Sequence, residues 1–168
     1  MKAIRLFLLS LATTMIVSSC SILSLGSAQQ PVSNTDAGIN AGTALAAIFG
    51  QYKKDNNKID LGNLANIINI ATIANNLGLF GKSLTDDASA AFTQGLIQGS
   101  KNLVNKSNAS AVLSGLQTLA STNLNQFTKA ATKATTDASA AALQQIDATS
   151  NQVNTAVTAL SGILSALK

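Results

Sequence analysis

Few side chains in this sequence could carry out covalent, acid–base or metal chemistry. The chain has 168 residues and a single cysteine, Cys20, and it contains no histidine and no tryptophan. It also contains no glutamate, and its only arginine is Arg5. Acid–base catalysts are most often histidine or a tuned carboxylate, and zinc sites usually need cysteine and histidine. Aspartate, lysine, serine, threonine and Tyr52 are therefore the only candidates besides the Cys20 thiol.

Two local patterns could belong to reactive sites, but each has a plainer interpretation. Gly81-Lys82-Ser83 matches the end of a phosphate-binding loop, yet the first glycine of that motif would fall at Asn76. Asp86-Asp87 could form a carboxylate pair, but acidic residues are also favoured in the first turn of a helix. No Gly-x-Ser-x-Gly motif occurs. We therefore expect no enzyme, no catalytic residue, no metal site and no cofactor.

Cys20 stands at the end of a segment with a distinctive order of residues. Lys2 and Arg5 make a basic start, and residues 6–17 are uncharged and mostly apolar. Two small residues, Ser18 and Ser19, then precede the thiol. This order is typical of a secretory signal peptide, and the apolar run is shorter than the roughly 20 residues of a membrane span.

The end of that segment, Val17-Ser18-Ser19-Cys20, resembles the lipobox of bacterial lipoproteins. The resemblance covers residues 1–20 only. It implies that the Cys20 thiol is acylated, that the chain is cut just before it, and that the mature protein is held to a membrane by lipid. Ser21 follows Cys20, with no acidic residue close behind. By its similarity to Gram-negative sorting, this implies the outer membrane, on the periplasmic side.

The rest of the chain divides into a tether and one domain. We expect a signal peptide over 1–19, an acylated cysteine with a flexible tether over 20–35, and a single domain over 36–168. The tether is small and polar and contains the one proline of the chain, Pro31. The mature chain has nine lysines and seven aspartates without clustering, so we expect no binding to nucleic acid.

Long, alanine-rich and proline-free stretches with helical spacing predict an all-α domain. We expect a helical bundle of about five helices with antiparallel neighbours. The predicted helices cover about 34–52, 60–79, 83–106, 107–134 and 143–167.

Small residues recur every four positions in two of these helices, which allows helix backbones to approach closely. The positions are Gly38, Gly42, Ala46 and Gly50 in the first helix and Ala91, Gly95 and Gly99 in the third. One interpretation is close packing inside a soluble bundle, and the other is a membrane-inserting hairpin. We favour the bundle, since five asparagines in the second helix would be costly in lipid. Leucine at Gly42 or Gly95 should then overpack the contact, whereas alanine should be mild.

The last helix carries apolar residues in alternating three- and four-residue steps, which predicts a buried seam. Its members are Leu143, Ile146, Val153, Val157, Leu160, Leu164 and Leu167, with Ser150 as the one polar position in the register. We expect this seam to be core rather than a docking face.

These expectations lead to a non-catalytic, membrane-anchored envelope lipoprotein whose helical domain binds other envelope proteins or supports an assembly. A first alternative is a carrier of lipid or another apolar ligand within the bundle. A second is an oligomer that inserts into the membrane through the glycine ladders.

Overall fold

The computed structural model describes residues 33–78, 86–137 and 140–167. This part of the chain contains six α-helices and a short 3₁₀ helix and no strand, which confirms the all-α bundle. The helices are α1 (Asn34–Lys54), α2 (Leu64–Gly78), α3 (Asp86–Gly99), α4 (Ala109–Ser121), α5 (Asn125–Asp137) and α6 (Asn151–Ala166), and the 3₁₀ helix is Ala140–Gln145. Cys20 and the predicted signal peptide over 1–19 lie outside the described residues.

Helix α1 begins and ends with clear local signals. The Ser33 side chain accepts a hydrogen bond from the backbone N–H of Asp36, and its hydroxyl donates to the Asp36 carboxylate at 2.7 Å. This reciprocal cap satisfies an otherwise unpaired donor and places an acid at the positive end of the helix dipole. At the other end, Asn56 and Asn57 take positive φ angles of 54° and 61°, which end the helix.

Contacts between helices define their directions. Asn40 of α1 donates to Asn76 near the end of α2 at 3.5 Å, so these consecutive helices are antiparallel. By contrast, Gly38 and Gly42 of α1 face successively later parts of α3, so α1 and α3 run parallel. Helix α2 packs against α5 and also touches α4, and α4 packs against α6.

The fourth predicted helix is divided into α4 and α5. Thr122 is extended, with ψ of 150°, and its hydroxyl donates to the Leu119 carbonyl at 2.6 Å. Asn123 then accepts a hydrogen bond from the backbone N–H of Asn125 and starts the next helix. Short polar side chains of this kind compete with helical backbone bonds, which explains why the helix stops here despite continuous helical spacing.

The last helix is shorter than predicted. Ser150, the polar position in the apolar register, is the N-cap of α6, and its hydroxyl accepts from the backbone N–H of Val153. Leu143 and Ile146 therefore lie before α6, in and just after the 3₁₀ helix.

The core runs through the whole bundle. Its largest completely buried side chains come from all six helices: Phe92, Phe127, Leu45, Ile48, Ile67, Ile70, Ile73, Leu96, Leu116, Leu119, Leu160 and Ile163. Burial of such side chains is the dominant favourable term in folding. Among the described residues, no helix is both long enough and apolar enough to cross a membrane.

Candidate functional site: the glycine contact between α1 and α3

The tightest contact that the structure describes is between α1 and α3. A Cβ at Gly38 would meet the Phe92 carbonyl oxygen and would stand 2.9 Å from the backbone nitrogen of Leu96. A Cβ at Gly42 would stand 2.5 Å from the Leu96 carbonyl oxygen and 2.8 Å from the Ser100 nitrogen. Real Cβ atoms do not approach backbone atoms so closely, so only glycine fits either position without movement.

The glycines of α3 meet α1 in the same way. A Cβ at Gly95 would meet the Thr35 carbonyl oxygen and would stand 2.9 Å from the Ile39 nitrogen. A Cβ at Gly99 would meet the Ile39 carbonyl oxygen. Four glycine positions, two from each helix, thus face carbonyl groups across the contact, an arrangement suited to weak Cα–H···O interactions. We call Gly38, Gly42, Gly95 and Gly99 the glycine contact.

Polar groups border the glycine contact. The Thr43 hydroxyl donates to the Ile39 carbonyl at 2.9 Å and lies 3.4 Å from the Gly99 carbonyl oxygen. Ser100, which is completely buried, donates from its hydroxyl to the Ile97 carbonyl and accepts from the backbone N–H of Val104. These bonds satisfy backbone and side-chain groups where α3 ends, as buried polar groups require.

Three residues of the predicted ladders do not belong to the glycine contact. Gly50 has nothing within 4 Å of a Cβ, so its assignment to helix packing is wrong. Gly42 already faces Ser100, the first residue after α3, and the ladder positions beyond it extend past the partner helix. Ala46 and Ala91 are only half-buried. Ala91 directly precedes Phe92, whose carbonyl oxygen faces Gly38.

Most residues of the predicted seam are buried in the C-terminal part of the bundle, but the buried set differs from the predicted one in two ways. Val153, Leu160, Leu164, Leu167 and Ile146 are buried, whereas Leu143 and Val157 are only half-buried. Ala156 and Ile163, outside the predicted register, are 0% and 1% exposed. The predicted register fails because residues 143–150 are not part of α6. The 3₁₀ helix and α6 are separate elements, so the spacing counted from Leu143 does not give the buried side of α6.

Two asparagines, Asn66 and Asn76, are buried, and the sequence analysis did not distinguish them from asparagines at the surface. Asn66 is 1% exposed and donates to the Asp60 carbonyl at 2.9 Å, while its own side-chain oxygen has no partner among the described residues. Asn76 donates to the Thr72 carbonyl at 2.7 Å. The spacing of Ile67, Ile70 and Ile73 on the same helix could have indicated which asparagines turn inward.

Possible metal ligands do not cluster in the part of the chain that the structure describes. No group of three or more histidine, cysteine, aspartate or glutamate side chains comes together within it. Asp86 and Asp87 begin α3, as expected for helix-start acids. One Ser-x-x-Lys spacing does occur, from Ser165 to Lys168. Ser165 is exposed in the last turn of α6, and Lys168 lies outside the described residues.

Comparisons of the chain with protein-family models, with curated proteins and with solved structures find no match.

Proposed function

We propose that this chain is a non-catalytic envelope lipoprotein, anchored by lipid on Cys20, whose helical domain binds other proteins of the envelope or supports an assembly. The observation that carries the proposal is the order of residues 1–20: a basic start, a short apolar run and one thiol directly after two serines. Two or more acyl chains on that thiol would make the anchoring stable.

The start of the domain agrees with such an anchor. Helix α1 has its N-cap at Ser33, thirteen residues after Cys20. A chain of that length reaches at most about 45 Å when it is fully extended. The domain would thus stay close to the membrane surface, within reach of other membrane-bound proteins.

The glycine contact supports a rigid binding domain rather than a membrane-inserting one. All four of its glycines are already covered by helices of the same chain, so they are not available to a second copy without separating α1 from α3. The lipid carrier has less support, because two grooves found among the described residues are open to solvent and are lined mostly by threonine and asparagine residues.

The proposal is tested by chemical crosslinking in cells that make three forms of the protein. These are the wild type, the Cys20→Ser variant and a form in which residues 1–20 are replaced by a signal peptide without a cysteine. The wild type is expected to give a crosslink to another envelope protein. The unanchored form, with its replaced signal peptide, is expected to give much less of this crosslink. Equal crosslinks from the wild type and the unanchored form would contradict a role that depends on the anchor. An absence of crosslinks with any envelope protein would contradict the binding role.

A further inference from the structure

The end of the α1–α2 pair at which α1 ends and α2 begins has apolar side chains at its surface. Leu64, the first residue of α2, is 37% exposed, and no other large apolar side chain among the described residues is exposed. Four more apolar side chains in residues 49–68 are only half-buried: Phe49, Ile59, Leu61 and Ile68. We call this stretch, residues 49–68, the α1–α2 end.

Three exposed lysines lie among these apolar side chains. Lys53 and Lys54 are the last residues of α1, and Lys58 follows in the turn. The Lys53 ammonium stands 5.4 Å from the centre of the Phe49 ring, so basic and apolar groups are in direct contact. The helix dipole favours lysine in the last turn of a helix, but it does not account for Lys58 or for an exposed leucine.

The α1–α2 end is basic, whereas the opposite ends of the neighbouring helices are acidic. Asp55 and Asp60 stand against its three lysines, and neither forms an ion pair with a described residue. Because α3 runs parallel to α1, its end points the same way, and it is followed by the exposed Lys101 and Lys106. The first turns of α1 and α3 contain aspartate and no lysine. The bundle therefore has its positive charge on the side away from Ser33.

The chain before α1 is long enough to bring the α1–α2 end to the membrane that would hold the anchor. Helix α1 has 21 residues and is thus about 31 Å long. The thirteen residues from Cys20 to Ser33 span at most about 45 Å. With Cys20 in a bilayer, the domain can therefore lie with α1 along the surface and the α1–α2 end at the lipid headgroups.

We propose that the α1–α2 end docks on the surface of an anionic phospholipid bilayer. The negative potential of such a surface attracts the lysines, and Leu64 with its half-buried apolar neighbours can enter the headgroup region. A soluble polyanion would also attract the lysines, but it would make no use of Leu64. The proposal rests on the proposed lipid anchor for the presence of the bilayer close by, whereas the docking surface itself does not include Cys20.

The test is co-sedimentation with lipid vesicles of the unanchored form, after its cysteine-free signal peptide has been removed. This form keeps every residue that the structure describes, and circular dichroism shows whether it is folded. It should sediment with vesicles that contain phosphatidylglycerol and not with vesicles of phosphatidylcholine alone, and added sodium chloride should release it. Equal sedimentation with both kinds of vesicle, or with neither, would overturn the docking. Since this form cannot be acylated, a wild-type protein without lipid on Cys20 would contradict the anchor alone.

Substitutions assign the binding to the α1–α2 end. Lys54→Gln and Lys58→Gln should each weaken binding to the anionic vesicles by about fivefold. Leu64→Ser should weaken it by about two- to tenfold, because less apolar surface enters the headgroup region. Lys129→Gln and Lys133→Gln are matched controls, since both lysines are exposed on α5, and they should change binding little. An equal loss in the controls, or unchanged binding of Leu64→Ser, would refute the proposal.

Discussion

Gly42 lies so close to α3 that a Cβ at this position would stand 2.5 Å from the carbonyl oxygen of Leu96. The neighbouring atoms are backbone atoms, which cannot turn aside as the end of a flexible side chain could. The closeness of the two helices therefore depends on the absence of a side chain at Gly42. The same holds for Gly38, Gly95 and Gly99.

Alanine at Gly42 or Gly95 should destabilise the protein, contrary to the mild effect expected from helix propensity. The added methyl must push α1 and α3 apart, and overpacking of this kind costs about 1–3 kcal/mol. Leucine at either position should cost at least as much. Thermal or urea unfolding followed by circular dichroism measures the change.

Gly50→Ala and Gly162→Ala are matched controls for that prediction. Both glycines are helical and exposed, and a Cβ at either would meet nothing within 4 Å. Alanine there should stabilise the protein by up to about 1 kcal/mol through helix propensity. If all four substitutions had the same sign, the glycine contact would not be the cause.

Leu160→Ala should cost about 2–5 kcal/mol, since Leu160 is completely buried in the middle of α6 and truncation leaves a cavity. Thr158→Ala, on the exposed side of the same helix, should change the free energy of unfolding little. Denaturant unfolding of both variants provides the comparison. A stable Leu160→Ala protein would mean that the inner side of α6 is a binding face and not core.

Gly115 and Ile163 should be energetically coupled. A Cβ at Gly115 would meet the Ile163 side chain, with its Cδ1 at 3.0 Å. Gly115→Ala should therefore destabilise the wild type, and Ile163→Ala should provide room for the new methyl. A double-mutant cycle should give a favourable interaction of about 0.5–3 kcal/mol between the two substitutions. Strict additivity would contradict the packing of α4 on α6.

Asp147 should make a small contribution to the pH dependence of stability. The Thr149 hydroxyl and backbone N–H donate to its carboxylate at 2.6 and 2.9 Å and lower the pKa of Asp147 below its ordinary value. The stabilisation is fully present above the ordinary carboxyl pKa of about 3.9 and is lost as the pH falls through the lower folded value. Thermal melting between pH 2 and 5 should be less pH-dependent in Asp147→Asn, and equal slopes would contradict this.

The sequence predicted the positions of the helices along the chain better than it predicted which helices pack against each other. Four-residue spacing singled out the glycines of α1 and α3, but it could not show that the two sets meet, because that pairing joins residues more than fifty positions apart. Gly50 has the same spacing as Gly42 and differs only in that α3 ends before reaching it. The burial of Asn66 could not be predicted either, since its hydrogen-bond partner is the backbone carbonyl of Asp60 in a loop.

The apolar spacing in the C-terminal part shows another limit of predicting helix boundaries from sequence. Leu143 and Ile146 have the spacing of a helix with Val153, yet Leu143 lies in the 3₁₀ helix, Ile146 follows it directly, and a turn separates both from α6. Ser150 was the only break in the pattern, and it is the residue that caps the helix. A single polar residue in an apolar register is thus a stronger boundary signal than the pattern around it.

Lipid attachment at Cys20 is the central claim, and metabolic labelling with a clickable fatty acid tests it most directly. Cells that make the wild type or the Cys20→Ser variant are labelled, and the purified proteins are compared by gel fluorescence and intact mass. The account predicts label and an acyl mass increment on the wild type, with the chain starting at residue 20. It predicts an unlabelled, uncleaved Cys20→Ser chain. Label retained on Cys20→Ser, or a wild-type protein without acyl mass, would contradict it.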